Sequence, residues 1–327
     1  MKMTILGCGR WASFHAWYQA EILKNEVLIW GRAEDSIYDE LKKFRKNNYL
    51  TLPDTVKLTD NLKSALDSAQ HIIISISSQG LGDLTAAVKK HRPKDKIFIL
   101  CMKGIDHKSG MRLSQILRSG IDGSNKICVW VGPGHVQDFL SGQPNIMLID
   151  GDDETTTADV INSFRSELIK LYQGNDLIGS EIGAAAKNVI GIAAGMLDGA
   201  SMSSLKGALM ARGVYEVSML IKAMGGRQLT AYGLSHLGDF EATLFSQNSH
   251  NRKYGEEFIK SNVKHRLMHT EGLAEGVETS KALMILSERY KVEMPICRLV
   301  YEILHESKDP KQGLNELFSR TYKNEFR

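Results

Sequence analysis

Cysteine is scarce in this chain: four in 327 residues (Cys8, Cys101, Cys128 and Cys297), with no CxxC pair. Three of the four sit inside apolar runs, so they read as small reduced core residues, which argues against a disulfide scaffold or a zinc ribbon. An excess of one charge sign is also missing. Lys and Arg number 41 against 38 Asp and Glu, a net +3, with no basic arm or long lysine run. Nucleic-acid binding as the main task is therefore not expected, while a local anion site stays open. No apolar stretch reaches about 18 residues without a charge, so no membrane-inserted helix is expected. The first residues, MKMTILGCGR, enter a fold motif after a very short apolar run and do not read as a signal peptide. A cytoplasmic location is the expectation. Internal repeats and low-complexity segments are not found.

What is present is an ordinary globular composition, 43% hydrophobic and 24% charged. The length suits two domains at roughly 100–200 residues each. Up to about residue 175, short β-rich runs alternate with amphipathic stretches. Strands are expected at Met3–Leu6, Val27–Trp30, His71–Ile76, Ile97–Cys101, Ile127–Val131 and Ile146–Ile149, with helices at Trp11–Lys24, Ile37–Lys46, Gly80–Lys90 and Met111–Arg118. Most of the strands are continuously apolar, as parallel strands buried on both faces are. Beyond Tyr172 almost only helical periodicity remains, broken by glycines and by Pro295, which should start or kink a helix. The fold class is thus α/β: an N-terminal Rossmann-like doubly wound sheet over 1–178, then an all-helical domain over 179–327.

The first strand ends in Gly7-Cys8-Gly9-Arg10-Trp11-Ala12, directly before a helix. Gly7 permits the tight turn, Gly9 lets the backbone approach a pyrophosphate, and Ala12 in place of a third glycine keeps helix and strand close. Free N–H groups at the helix start, from Arg10 onward, then face the anion. The second strand runs into Trp30-Gly31-Arg32, where an acid for the ribose 2′-hydroxyl would be usual. Arg32 can pair with a 2′-phosphate, which favours NADP over NAD, although a solvated surface arginine explains it equally well and Glu34 and Asp35 lie close by.

Three charged residues stand in apolar surroundings. Lys187 interrupts a helix of small residues suited to close packing, Lys103 follows the strand ending at Cys101, and Asp239 lies in a stretch otherwise free of charge. A desolvated lysine has its pKa lowered toward the range useful for proton transfer. A structural ion-pair network accounts for the three as well as a catalytic set does. Ser249-His250-Asn251-Arg252 is a polar run that could hold a phosphate or simply form an exposed loop. His265 and His269 have the i, i+4 spacing of a metal pair but lack a third ligand nearby, so no metal is expected. Gly132-Pro133-Gly134-His135 follows the fifth expected strand as a ligand-side loop or a turn.

Taken in order, these segments resemble the NAD(P)-dependent glycerol-3-phosphate dehydrogenase family nearly end to end. The resemblance is carried by the glycine loop, Leu28-Ile-Trp-Gly-Arg, Lys103-Gly104, Gly132-Pro133, Ala186-Lys-Asn-Val-Ile-Gly-Ile-Ala-Ala-Gly, Ala211-Arg-Gly, Gly238-Asp239, Asn251-Arg252, Glu275-Gly276-Val277 and Val292-Glu-Met-Pro-Ile. It implies hydride transfer between NAD or NADP and a small phosphorylated ketone, dihydroxyacetone phosphate, and a homodimer. Lys187 would be the general acid or base, with Lys103 and Asp239 holding it and the substrate oxygens in one set. Asn188, Ser249, His250, Asn251 and Arg252 would line the substrate, with Arg252 also reaching the cofactor beside Glu278.

The departures cluster near the same residues. The family's Ser-Arg-Asn motif is Ser249-His250-Asn251 here, so a histidine stands where an arginine is expected at the dinucleotide and the substrate's phosphate end. The family's Gly-Asp-Asn-Ala run reads Ser203-Ser204-Leu205-Lys206-Gly207, its Gly-Pro-Ser loop is Gly132-Pro133-Gly134, and its Pro-Ser after the third expected strand is Ser77-Ser78. These changes keep two alternatives open: a reductase of the same fold acting on another small hydroxy-ketone, and a non-catalytic dinucleotide sensor.

Overall fold

The computed structural model describes residues 1–246, 249–260, 274–319 and 324–325. One eight-stranded sheet carries the N-terminal half, with strands β1 (Lys2–Leu6), β2 (Glu26–Trp30), β3 (Lys57–Thr59), β4 (His71–Ile74), β5 (Ile97–Leu100), β6 (Lys126–Val131), β7 (Asn145–Gly151) and β8 (Ile169–Gln173) in the order β3-β2-β1-β4-β5-β6-β7-β8. The order reverses between β1 and β4, the switch point at which doubly wound sheets bind ligands beyond their strand ends. Helices α1 (Arg10–Trp17), α2 (Ser36–Phe44), α3 (Leu62–Ser68), α4 (Leu81–His91), α5 (Leu113–Arg118), α6 (Val136–Leu140) and α7 (Glu154–Phe164) cover the sheet.

Two strands were not expected, and one runs against expectation. β3 is a three-residue edge strand without a buried side chain, and β8 is the opposite edge, alternating rather than continuously apolar. Edge strands bury one face at most, so they lack the apolar run that marks a central strand. β7 pairs antiparallel with β6, whereas the other strand pairs are parallel. An apolar run carries no sign of strand direction, so this reversal is invisible in the sequence.

The second half is helical: α8 (Leu177–Gly199), α9 (Lys206–Ala223), α10 (Asp239–Phe245), α11 (His250–Lys260), α12 (Glu275–Tyr290), α13 (Pro295–His305) and α14 (Pro310–Phe318). Pro295 sits in the first turn of α13, starting it rather than kinking it. Although α8 is long and apolar enough by composition to cross a membrane, it is the core of this domain, buried almost along its whole length. Its N-cap, Asp176, accepts from the Gly179 N–H.

Buried polar ties fix α8 against α5 and the sheet. Glu181 accepts from the Ser114 N–H at 2.8 Å and from its hydroxyl at 2.6 Å, and also pairs with Arg112. Asp150, on β7, accepts from the Ser180 hydroxyl at 2.7 Å. On its other side α8 lies directly on α11 through glycines. A Cβ at Gly195 would come 1.9 Å from the Arg252 carbonyl, and one at Gly255 would come 2.1 Å from that of Ile192. Only this close approach brings the start of α11 against the middle of α8, where Lys187 and Asn188 lie.

Candidate active site

Three expected residues meet where the sheet's strand ends face the helical domain. Lys103 comes from the loop after β5, Lys187 from mid-α8 and Asp239 from the first residue of α10. The Asp239 carboxylate accepts from both lysines, from Lys103 at 2.6 Å on Oδ2 and from Lys187 at 3.0 Å on Oδ1. A π-helical turn, Leu234–Gly238, leads into α10 and delivers Asp239 to this point. Lys103 also donates to the Gly132 carbonyl at 2.8 Å, which makes the Gly132–His135 loop part of the site.

Lys187 makes a second hydrogen bond, to the Thr243 hydroxyl at 2.9 Å, and that hydroxyl donates to the Asp239 carbonyl at 2.8 Å. An ammonium has three protons, so one stays available to a reacting oxygen. Burial lowers the Lys187 pKa to about 8, with the charge of Lys103 pushing the same way and Asp239 opposing. Burial alone would lift the Asp239 carboxyl. The two ammoniums more than offset that and hold it below the ordinary carboxylate range.

A second row of polar groups adjoins the first. Asn188 donates to the Lys103 carbonyl at 2.8 Å, Asn251 donates to the Asn188 side-chain oxygen at 3.1 Å, and the Gly276 N–H donates to Asn251 at 3.0 Å. Ser249 is buried and accepts from the Arg252 N–H at 3.2 Å, which caps α11. His250 faces the glycine loop, with its Nε2 2.9 Å from Arg10 Nη1.

Two expected residues have other partners. The Arg252 guanidinium is held by Asp198 at 2.6 Å and Glu256 at 3.3 Å, with its Nε on the Ser246 carbonyl. It belongs to an ion network with Lys206, which also pairs with Asp198 at 2.7 Å, and not to the lysine–aspartate cluster. Glu278 pairs with Lys281 at 3.0 Å and His107 at 3.3 Å. One turn earlier on the same helix, Glu275 accepts weakly from the Ser78 N–H at 3.4 Å and feels the charges of Lys187 and Lys103; burial raises its pKa despite them. His265 and His269 lie outside the described residues.

Sequence reasoning missed Thr243, Glu275 and His135 as site residues. Thr243 follows Asp239 by four positions, the helical spacing that puts both on one face. Glu275 lies within a segment already notable for its Glu-Gly-Val. His135 ends the glycine-rich loop; its Nε2 is buried without a partner among the described residues, and burial together with the charge of Lys187 lowers its pKa below the usual histidine range.

The glycine loop fits a dinucleotide. Gly7 has φ +127°, and a Cβ there would meet the Ser75 carbonyl at 2.1 Å, so the turn excludes any side chain. At Gly9 a Cβ would meet nothing within 4 Å: its small size leaves open space in front of the backbone, the room a phosphate needs. The first intrahelical bond of α1 runs from the Ser13 N–H to the Gly9 carbonyl, so the preceding N–H groups point into that space. Ala12 is fully buried between α1 and the sheet. The Trp11 ring lies 5.8 Å from Lys103 Nζ, which places the loop beside the lysine–aspartate cluster. Arg32 is exposed at the end of β2, its nearest acid Glu34 at 3.9 Å, and so is accessible to a phosphate from solvent.

Comparison with known proteins gives matches over the whole chain. Residues 2–157 match the family described as NAD-dependent glycerol-3-phosphate dehydrogenase N-terminus, and residues 176–315 match its C-terminus. A glycerol-3-phosphate dehydrogenase [NAD(P)+] of Clostridium botulinum (strain Alaska E43 / Type E3) is 32% identical, with 99% of each chain covered. The protein of the same name from Chlorobium phaeobacteroides (strain BS1) is 33% identical over 100% of this chain and 99% of its own. Among solved structures, the glycerol-3-phosphate dehydrogenase of Coxiella burnetii superposes with a TM-score of 0.91 at 28% identity, covering 98% of this chain and 99% of that one.

Proposed function

Because the chain belongs to the NAD-dependent glycerol-3-phosphate dehydrogenase family and so reduces dihydroxyacetone phosphate to glycerol 3-phosphate with NAD(P)H, we propose that Lys187 is its proton donor. The observation that carries this assignment is the bridge of Asp239 between Lys187 and Lys103, at 3.0 and 2.6 Å. The glycine loop would hold the dinucleotide's pyrophosphate, and the nicotinamide, when bound, would supply the hydride.

Hydride addition leaves negative charge on the carbonyl oxygen, and the site must neutralise it. Lys187 gives that oxygen its remaining proton and becomes a neutral amine, still held by Asp239 and Thr243; in the reverse direction the amine takes the proton back. Its lowered pKa, about 8, makes the exchange accessible in both directions near neutral pH. The Lys103 ammonium, held by Asp239, steadies the oxygen electrostatically from a fixed position. Asn188 and Asn251, fixed by the bonds described above, would line the substrate beside the lysines.

The exposed guanidinium of Arg32 supports a preference for NADP over NAD. The four unpaired, buried thiols support a reducing, cytoplasmic compartment. A homodimer is the assembly the family resemblance implies, and sedimentation of the purified chain checks it. The activity itself is tested by NADPH oxidation on adding dihydroxyacetone phosphate to the purified protein; no oxidation above the background rate would refute it.

A further inference from the structure

Arg10 and His250, 240 positions apart, meet across the cleft with Nη1 and Nε2 2.9 Å apart. Arg10 opens α1 just behind the glycine loop, and His250 opens α11 between Ser249 and Asn251. His250 stands where the family's Ser-Arg-Asn motif has its arginine. The helical domain therefore lacks a guanidinium at this point, and the opposite domain brings one to it.

The chemistry of the contact fixes the role of each partner. A guanidinium only donates, so His250 must accept on Nε2 with its ring neutral. Burial, then the charges of Arg10 and Lys253 and the ring of His135, lower the His250 pKa and favour that neutral form. Arg10 has five N–H donors, and a neutral ring nitrogen satisfies one. Among the described residues it forms no ion pair; the Tyr49 ring lies 6.0 Å away, and the Glu275 charge is felt only at a distance. Burial lowers its pKa, as for a cation partly stripped of water. Arg252, the motif's other arginine, is occupied by Asp198 and Glu256. A partly desolvated guanidinium with donors to spare among the described residues, next to a helix start and a substrate-lining row, has the chemistry to take a phosphate.

We propose that Arg10 is the guanidinium that binds phosphate in this active site, and that neutral His250 is its positioning residue, so that the cation has moved from α11 to the glycine loop. This deepens the function proposed above and rests on it. The phosphate belongs either to the substrate's monoester or to the dinucleotide, and the experiment separates the two.

The experiment measures KM for dihydroxyacetone phosphate, kcat, and Kd for NADPH without substrate, in wild type and in R10S, R10K, H250Q, H250A and R10S/H250R. Wild-type turnover tests the activity first; if it is absent, the NADPH titration still reads Arg10 on its own. Loss of charge-assisted hydrogen bonds should make R10S weaker by about 10- to 100-fold, in KM if the ligand is the substrate and in Kd if it is the dinucleotide, with kcat changed much less. R10K, which keeps the charge without the fork, should fall between R10S and wild type. H250A should weaken the same constant as R10S, and H250Q, which keeps an acceptor, should recover part of that loss. R10S/H250R, with the cation returned to α11, should recover most of the loss. R10S values within about twofold of wild type for both ligands, far below the loss a charged hydrogen bond carries, would overturn the proposal. So would a folded double variant no better than R10S. Should the double variant not fold, equal constants for R10S and R10K overturn it instead.

Discussion

Lys187 Nζ lies 3.0 Å from Asp239 Oδ1, and the same carboxylate holds Lys103 on its other oxygen. One buried anion thus sets the position of two ammoniums and opposes the fall in the Lys187 pKa. D239N removes that charge and leaves both ammoniums facing each other. The expected result is a kcat at least about 100-fold lower and a stability loss of about 3–5 kcal/mol, as when one member of a buried ion pair is removed. Urea unfolding and steady-state rates measure both; a variant with wild-type stability and rate would show the network to be incidental.

The pH profile should report Lys187. Its pKa falls from the ordinary 10.5 to about 8, burial being the largest cause. Reduction needs the ammonium, so its kcat should hold below about pH 8 and fall above it, by about tenfold per unit. Oxidation needs the free amine, so its kcat should rise through the same pH and then level off. In D239N the largest influence raising that pKa is gone, so the midpoint should move lower in both directions. Limbs that run the same way for reduction and oxidation would assign the titration to another group.

The close seat of α11 on α8 should be as necessary as the polar residues it carries. In G195A the new methyl meets the Arg252 carbonyl at 1.9 Å, and backbone there must move. A loss of about 1–3 kcal/mol follows from overpacking, and displacement of Ser249–Asn251 should cost at least about tenfold in kcat/KM. Thermal unfolding and kinetics on the same preparation check this.

Much of this arrangement could be read from the sequence, because each signal had a local physical cause. Apolar runs marked the central strands, and Gly7 and Gly9 marked a turn that admits no side chain and a backbone left open. A lysine in a helix of small residues marked Lys187. What could not be read depended on distant packing. β3 and β8 are edge strands whose burial is one-sided, and the antiparallel entry of β7 leaves no trace in its composition. Arg252 sits in a promising motif, but Asp198, 54 positions earlier, claims it. Glu278 and Glu275 share a helix face, and only the placement of α12 shows which of them looks toward Ser78 and the lysines. The meeting of Arg10 with His250 could not be anticipated from either local sequence.

Cofactor choice should follow Arg32. R32A removes an exposed guanidinium, paired only at 3.9 Å with Glu34 among the described residues, so KM for NADPH should rise about 10- to 100-fold while KM for NADH stays within a few-fold. Equal effects on both cofactors would place Arg32 outside the discrimination.

The most direct test of the account is K187A assayed with dihydroxyacetone phosphate and NADPH, with NADPH affinity measured in parallel. The expected result is a kcat lower by at least about 100-fold with NADPH binding preserved in the folded variant, since the proton donor is lost while the glycine loop is untouched. A rate within a few-fold of wild type would contradict it.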